Sequence, residues 1–456
     1  YNTRDEILLN INEFIGKLIS KIDFSNSVLL VTSPNSSDLN IDNSKLTPII
    51  IWGKDIKNGI LTSATTKKQL LVANIDIGPT IMDFFNAPKD NMSGASIEII
   101  EKKVDLYELK AINNQINITS KVRYNSLYYY GFFSIMILGV FILQIISRIR
   151  FPERSQDLIK VLLCEVLIIP SIFILVSIFK PRTIQEYLLI LFTFILISTI
   201  IQWLMRKNEN KILYISLFTT SLILLDLIFK GYISEFSVLS HDPIIGARYY
   251  GIGNEMVGLL LGSLTLLSME LLKRRVKSII PLMLYIFSAM LVAHPSFGAN
   301  VGGTIAFVIS IGFYVKEYLN MKVDMKRLIL LFVVLVLVIT FMAYIDINLN
   351  SNPTHLGKNV LIIKDKGLGY IIQVITRKLL TNIRLIGSSF WTYLLLINLI
   401  LHGSLFYFLY KIDSNILLAS IAGLAGAIGG FVFNDSGLIL TSICMNFITI
   451  GVFLNS

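Results

Sequence analysis

Three of the chain's four histidines, His241, His294 and His355, stand in polar stretches rich in glycine or asparagine. Histidine is the side chain that accepts and returns a proton near neutral pH. Arg248 and Arg377 add guanidinium forks that match phosphate and other oxyanions, and Glu255 adds a carboxylate. These six residues are the candidate catalytic groups. Gly251, Gly253, Asn254, Ser296, Asn300, Arg384, Asn434 and Asp435 lie beside them in sequence and are candidates for substrate binding through exposed main chain, amides and charge. No metal-ligand set is assigned, and no cofactor can be named from the sequence.

Gly251-Ile252-Gly253-Asn254-Glu255 follows no strand, so it is not a nucleotide loop. Its glycines allow a non-helical turn whose free N–H groups, at the start of the next helix, can receive an anion or a carbonyl. Phe297-Gly298-Ala299-Asn300-Val301-Gly302-Gly303 has the same form, with His294 and Ser296 just before it. Non-helical backbone at membrane depth is tolerated only where protein buries it or it lines a watery cavity, so a polar cavity is one reading. Close helix packing through small residues, with Arg248 reaching a lipid phosphate, is the other. Tyr370 to Ile386 is amphipathic and carries Arg377, Lys378 and Arg384, as expected of a helix lying in a membrane interface against anionic headgroups.

The elements that must hold these residues are membrane helices. Of 456 residues 54% are hydrophobic and 15% charged, against about a quarter charged in soluble domains. A helix needs roughly 20 apolar residues to cross the hydrocarbon. Eleven stretches meet that requirement, near 125–147, 158–179, 184–205, 212–229, 253–272, 278–295, 299–315, 327–345, 388–410, 415–433 and 436–454. The fold class expected is a predominantly α-helical polytopic membrane protein with a small N-terminal α/β domain outside the cytoplasm, divided as 1–122 and 123–456.

The net charge of +10 points to anchoring rather than to nucleic acid, because Lys and Arg cluster at the ends of apolar stretches. Arg148, Arg150 and Arg154 leave the first span. Alternation then sends Arg206-Lys207, Lys273 to Lys277, Lys316 to Arg327 and Lys411 to the cytoplasm, with Lys180 and Arg182 the local exception. The N-terminal domain is thereby expected outside and the C-terminus inside, in a cell membrane. The candidate residues gather on the outer face. Cys164 and Cys444 fall in apolar runs and are expected as free thiols. His402 reads as structural. Within the spans Glu165 and Asp226 are costly enough to be functional candidates, although Lys230, one turn away, is a partner for Asp226.

In the soluble part Val28 to Thr32 and Pro48 to Trp52 read as buried strands of an α/β sheet. A helix starts near Asp76-Ile77-Gly78-Pro79, with Asp76 or Gly78 as cap and Pro79 in its first position. Leu46 to Gly53, Thr62-Ser63-Ala64-Thr65-Thr66 and Val72 to Ile81 together resemble the C-terminal part of the alkaline phosphatase and sulfatase superfamily. The resemblance implies a two-metal hydrolase sheet whose ligands and nucleophile stand mostly on segments N-terminal to this one. No His precedes His241, so no ligand histidine carries over, and Asp38 and Asp42 read as loop residues. A chain that opens in mid-domain, with no Met, is expected to be N-terminally incomplete.

The membrane part is similar to the bacterial O-antigen ligase and polymerase family in the order of its outer segments. Arg248 with Gly253-Asn254, Ser296 with Gly298, and the loop holding His355 and Arg377 are the counterparts. The sequence departs from that pattern at Glu255, where the family has Pro, and at Phe297, where it has Arg. The resemblance implies transfer or polymerisation of a polyprenyl-linked glycan, with His355 or His241 as base and arginines on the diphosphate. A transporter or flippase using Glu165 or Asp226, and a membrane-anchored phosphatase-like hydrolase, are the alternatives. Membrane lipids and a lipid-linked or anionic substrate are the expected partners, and nucleic acid is not.

Overall fold

The computed structural model describes residues 4–33, 45–89, 92–147, 152–349, 357, 360, 362–363, 367, 369–408 and 413–455. His355, Lys358, Asp38 and Asp42 lie outside them. The chain divides into two units, residues 1–117 and 118–456.

The first unit holds α1 (Arg4–Ile19), β1 (Val28–Thr32), β2 (Ile49–Gly53), β3 (Ile60–Ser63), α2 (Ile77–Phe84) and β4 (Ile97–Ile100). β1 pairs antiparallel with β2, Leu30 opposite Ile51, and β3 pairs antiparallel with β4. The strands expected to be buried are half-buried: Ile50 is 59% exposed and Trp52 49%. A two-stranded ribbon has a second face to cover, and the stacking of Phe24 on Trp52, 4.8 Å between centroids, shields part of it. Asp76 precedes α2 without capping it, and Pro79 falls in the third helical position, still within the turn whose N–H groups lack helical partners. The Asp76 carboxylate is fully buried and turned inward instead. It accepts from Ser63 Oγ at 2.7 Å, Thr65 Oγ1 at 2.5 Å, Ala73 N at 2.9 Å and Ala95 N at 3.0 Å. Charge-assisted bonds of this kind tie β3, α2 and the approach to β4 to one carboxylate.

α3 (Leu106–Ser147) runs into the second unit. There follow α4 (Glu153–Ile178), α5 (Ile184–Leu204), α6 (Lys211–Ile228), α7 (Asn254–Lys273), α8 (Ile279–Ala293), α9 (Val301–Tyr318), α10 (Met325–Leu349), α11 (Gly369–Ser388), α12 (Trp391–Phe408), α13 (Ser414–Phe433) and α14 (Gly437–Asn455). Helices occupy all eleven long apolar stretches. Eight of them, α3 to α7, α10, α13 and α14, are long and apolar enough to cross a membrane, and the bent pair α11 and α12 makes up to nine. The fold is that of a helical, multi-pass membrane protein. α8 has only 15 residues, and α9 carries Lys316 and Glu317 at its end.

α7 lies at the centre, 89% of its apolar window buried, whereas α5 at 17% and α10 at 6% are peripheral. Small residues let the helices close on α7. A Cβ at Gly258 would lie 2.4 Å from the Leu440 carbonyl oxygen of α14, and one at Gly262 2.9 Å from Phe447 Cβ. Asp226, near the end of α6, does not pair with Lys230. Both its oxygens go to Ser234, from N at 2.8 Å and Oγ at 2.7 Å, because the chain turns back immediately after the helix.

α11 meets α12 at 89°, and their shared break at Ser389 and Phe390 turns one helix across the other. Its sequence presents three faces about 120° apart at 3.6 residues per turn. Ile372, Ile383 and Ile386 form an exposed apolar stripe, Gln373, Arg377 and Arg384 an exposed polar one, and Lys378 and Asn382 turn into the protein.

Candidate functional site

The segment Ser240 to Gly253 leads into α7, His294 to Asn300 leads into α9, and Asn434 to Ser436 leads into α14. The glycines and Pro295 keep these approaches out of helix. Gly251, at φ +81°, adopts a conformation that side chains disfavour, and a Cβ there would stand 2.3 Å from the Gly298 carbonyl oxygen. Close approach lets the Ile252 N–H donate to that same oxygen at 2.8 Å, welding the first segment to the second.

Asn300 joins the three helix starts. Its Nδ2 donates to the Ile252 carbonyl at 3.0 Å and to Asn254 Oδ1 at 3.2 Å. Its Oδ1 caps α9 by accepting from Gly303 N at 2.8 Å, and Asn434 Nδ2 lies 3.5 Å away. Asn300 is 3% exposed and Asn434 4%, so each amide must be satisfied inside the protein. Asn382 of α11 closes the chain, donating from Nδ2 to the Phe431 and Asn434 carbonyls, each at 2.8 Å, and accepting from Leu438 N at 3.3 Å. Lys378 donates to the Phe433 carbonyl at 3.1 Å and stands 3.6 Å from the exposed Asp435 carboxylate.

Arg248 crosses this junction. Its Nε donates to the Tyr250 carbonyl at 3.0 Å, and its Nη2 to the carbonyls of Ala299 at 2.5 Å and Gly298 at 3.4 Å. Among the described residues it has no carboxylate within 4 Å, and its Nη1 donates to nothing. Burial lowers the guanidinium from its ordinary range, with Tyr250 and Asp435 opposing the shift. Burial likewise raises the Tyr250 phenol, which Arg248 draws back down. Gly253 starts α7 with no side-chain cap. The Arg248 guanidinium stands near the α7 start, whose first turn carries the Glu255 carboxylate, with an oxygen 3.4 Å from where a Gly253 side chain would begin.

Glu255 and His241 belong to a second group at the same end. Arg123 of α3 pairs with Glu255 at 3.3 Å and also donates to the Ser240 carbonyl. Both side chains are only 15% exposed. Ser120, one turn before Arg123, donates to Asp242 at 2.7 Å. The His241 ring edge faces Gly253, with Cε1 3.8 Å from where a side chain there would begin.

His294 caps the end of α8. Its Nδ1 accepts from Ser296 N at 3.1 Å, its ring rests on Phe297, and burial lowers its affinity for a proton. The Nδ1 lone pair is therefore in use. Ser296 is exposed.

Arg248, Gly251, Gly253, Asn254, Asn300 and Asn434 are thus brought together, with Asp435 linked to them through Lys378. Glu255 and His241 adjoin them. Arg377 and Arg384 are not in the junction: they line a shallow open groove of about 380 Å³ on α11 with Ile372, Gln373 and Leu380. His355 lies outside the described residues. Among the described residues no three His, Cys, Asp or Glu side chains come together as a metal site.

Sequence reasoning missed Ser120, Arg123 and Asn382 as members of the site. The i, i+3 spacing of Ser120 and Arg123 at the start of an apolar span and the i, i+4 spacing of Lys378 and Asn382 on the face opposite the arginines were the available signals.

Comparison with protein-family models, with curated proteins and with solved structures gives no match to this chain.

Proposed function

We propose that this chain is a bacterial cell-envelope protein that binds a lipid-linked or anionic substrate at the outer face of the membrane, and transfers or polymerises a glycopolymer from it. All eleven apolar helices cross the bilayer in this reading. The basic loops at Arg206, Lys273, Lys316 and Lys411 are cytoplasmic, as is the C-terminus, and the N-terminal unit, an α/β fragment of alkaline phosphatase type, is outside.

The observation that carries the reading is Arg248: a part-buried cation with an unused Nη1, no carboxylate partner among the described residues, and the α7 start, which has no side-chain cap, beside it. Uncompensated charge in a low-dielectric setting is costly unless an anion completes it. A phosphate or diphosphate oxygen supplies that charge with geometry a guanidinium fork accepts in two places. α11 supports the lipid part of the proposal. In this reading α11, at 89° to α12, lies along the interface, with the isoleucine stripe in the acyl region and Arg377 and Arg384 at headgroup level. Lys378 and Asn382, on its inner face, hold the loop that carries Asn434.

The test is surface glycopolymer in cells expressing His241→Ala, Arg248→Ala, His294→Ala or Arg377→Ala at equal membrane levels. Loss with Arg248→Ala, and partial recovery with Arg248→Lys, is expected. Unchanged polymer in all four variants would remove the proposal.

A further inference from the structure

The molecule holds a second polar cluster, inside the bundle, that the junction around Asn300 does not use. Glu165 is the thirteenth residue of α4, about 18 Å along the helix axis at 1.5 Å per residue, so α4 carries it to mid-membrane depth. It is 2% exposed. One oxygen, Oε1, accepts from Ser198 Oγ of α5 at 2.8 Å, while Oε2 is buried and has no hydrogen-bond partner. One turn further along α5, Gln202 is 6% exposed, and its Oε1 is likewise buried without a donor. Ser198 and Gln202, four residues apart, share the α5 face turned to α4.

Two orphan acceptors on one interface are an unfavourable arrangement, because each buried oxygen has given up its hydrogen bonds to water without gaining a donor. An ionised carboxylate with a single donor is worse still. What the interface lacks is a hydrogen, and a proton on Oε2 supplies it, turning one acceptor into a donor and removing the charge.

The charged groups on the packed helices are engaged elsewhere. α5 offers Ser198, Thr199 and Gln202, and its one acid, Glu186, is at the far end, where its carboxylate accepts from the Arg182 N–H at 2.6 Å. α6 brings Lys211, whose Nζ is 3.0 Å from the Arg206 carbonyl, and Asp226, bonded to Ser234 at the other end. α14 carries no Asp, Glu, Lys, Arg or His. Asp226 thus has a donor for each oxygen and Glu165 for Oε1 alone, which separates the two acids that hydropathy alone placed together.

We propose that Glu165 is a proton-binding site within the membrane, holding its proton at the α4–α5 interface at neutral pH and giving it up to hydroxide in alkaline buffer. α5 is largely exposed on its other side, so the site lies one helix from the surface of the bundle.

Infrared difference spectra of the intact protein in liposomes, wild type against Glu165→Gln, test this. Expected is a protonated-carboxyl C=O band at neutral pH that the variant lacks and that gives way to carboxylate bands in alkaline buffer. Carboxylate bands at neutral pH overturn the proposal, and so does a carboxyl band that no alkaline buffer removes, since that acid would be a fixed structural group. Labelling by dicyclohexylcarbodiimide, which attacks only the protonated acid, is the second readout. An adduct at Glu165 that falls about tenfold per pH unit on the alkaline side is expected, and one that does not change with pH counts against exchange. Glu165→Gln supplies an N–H in the same volume, so its thermal midpoint should match that of wild type, and a large loss would point to an ionised native Glu165. Unchanged surface polymer in this variant would leave the reading of the Arg248 site intact.

Discussion

Asn300 and Asn254 meet side chain to side chain, Nδ2 to Oδ1 at 3.2 Å, where α9 and α7 both begin. The same Asn300 amide also holds the Ile252 carbonyl and the Gly303 N–H. One residue thus fixes the start of two helices and the extended segment between Gly251 and Gly253. Asn300→Ala orphans a buried carbonyl and a buried N–H, at about 1–3 kcal/mol each. Asn300→Asp keeps the cap but turns two donors into acceptors facing oxygen, and is expected to cost more. Thermal unfolding of the purified protein should rank wild type above Ala and Ala above Asp; equal midpoints would show that the network carries little energy.

Gly251 tests the weld between the two segments. Substitution by Ala forces a left-handed residue, at roughly 1–2 kcal/mol, and adds a methyl against the Gly298 carbonyl. The backbone bond from Ile252 N to Gly298 O should open. Faster proteolysis between residues 240 and 253, with the helical content unchanged, is the expected signature.

The Arg123–Glu255 pair joins α3 to α7 with both side chains 15% exposed. Losing either partner leaves an ion in a nearly closed place, whereas losing both does not. A double-mutant cycle with Arg123→Met and Glu255→Gln should therefore show the double variant more stable than the sum of the two single losses predicts, by about 0.5–3 kcal/mol. Additive losses would mean that the pair is solvent-screened.

Much of the helical frame was legible because hydrocarbon length imposes a simple pattern: Asn125 to Ser147 and Gly437 to Asn455 announce themselves by their apolar residues. The Gly251 and Gly298 segments were legible as breaks because clustered glycines permit non-helical backbone and lower helix propensity. What the sequence did not reveal was partnership. Arg123 lies 132 positions from Glu255, and no local pattern ties them. Asn382 sits in an amphipathic run whose arginines attract attention, yet its buried face holds the Asn434 loop. Asp76 read as a helix cap, since an Asp before Pro79 commonly is one, and only the folded chain brings Ser63, Thr65 and Ala95 to it. The Ser63 and Thr65 hydroxyls fall in the segment that carried the phosphatase resemblance, and here they serve an internal carboxylate.

His294 gives a pH dependence with a definite sign. Burial lowers its proton affinity below the ordinary value of 6.5, and its Nδ1 already accepts the Ser296 N–H. The unfolded chain therefore binds a proton at a pH where the folded chain does not. Its contribution to stability is complete above about 6.5 and is lost as pH falls from there through the lower, folded-state value. Acidifying from neutral should lower the midpoint of wild type more than that of His294→Gln, whose amide cannot titrate but still has an acceptor for Ser296. Subtracting the two profiles removes the other titrating groups. A difference that grows on acidification is the expected result, while one that grows on the alkaline side would mean that the folded protein holds this imidazole charged.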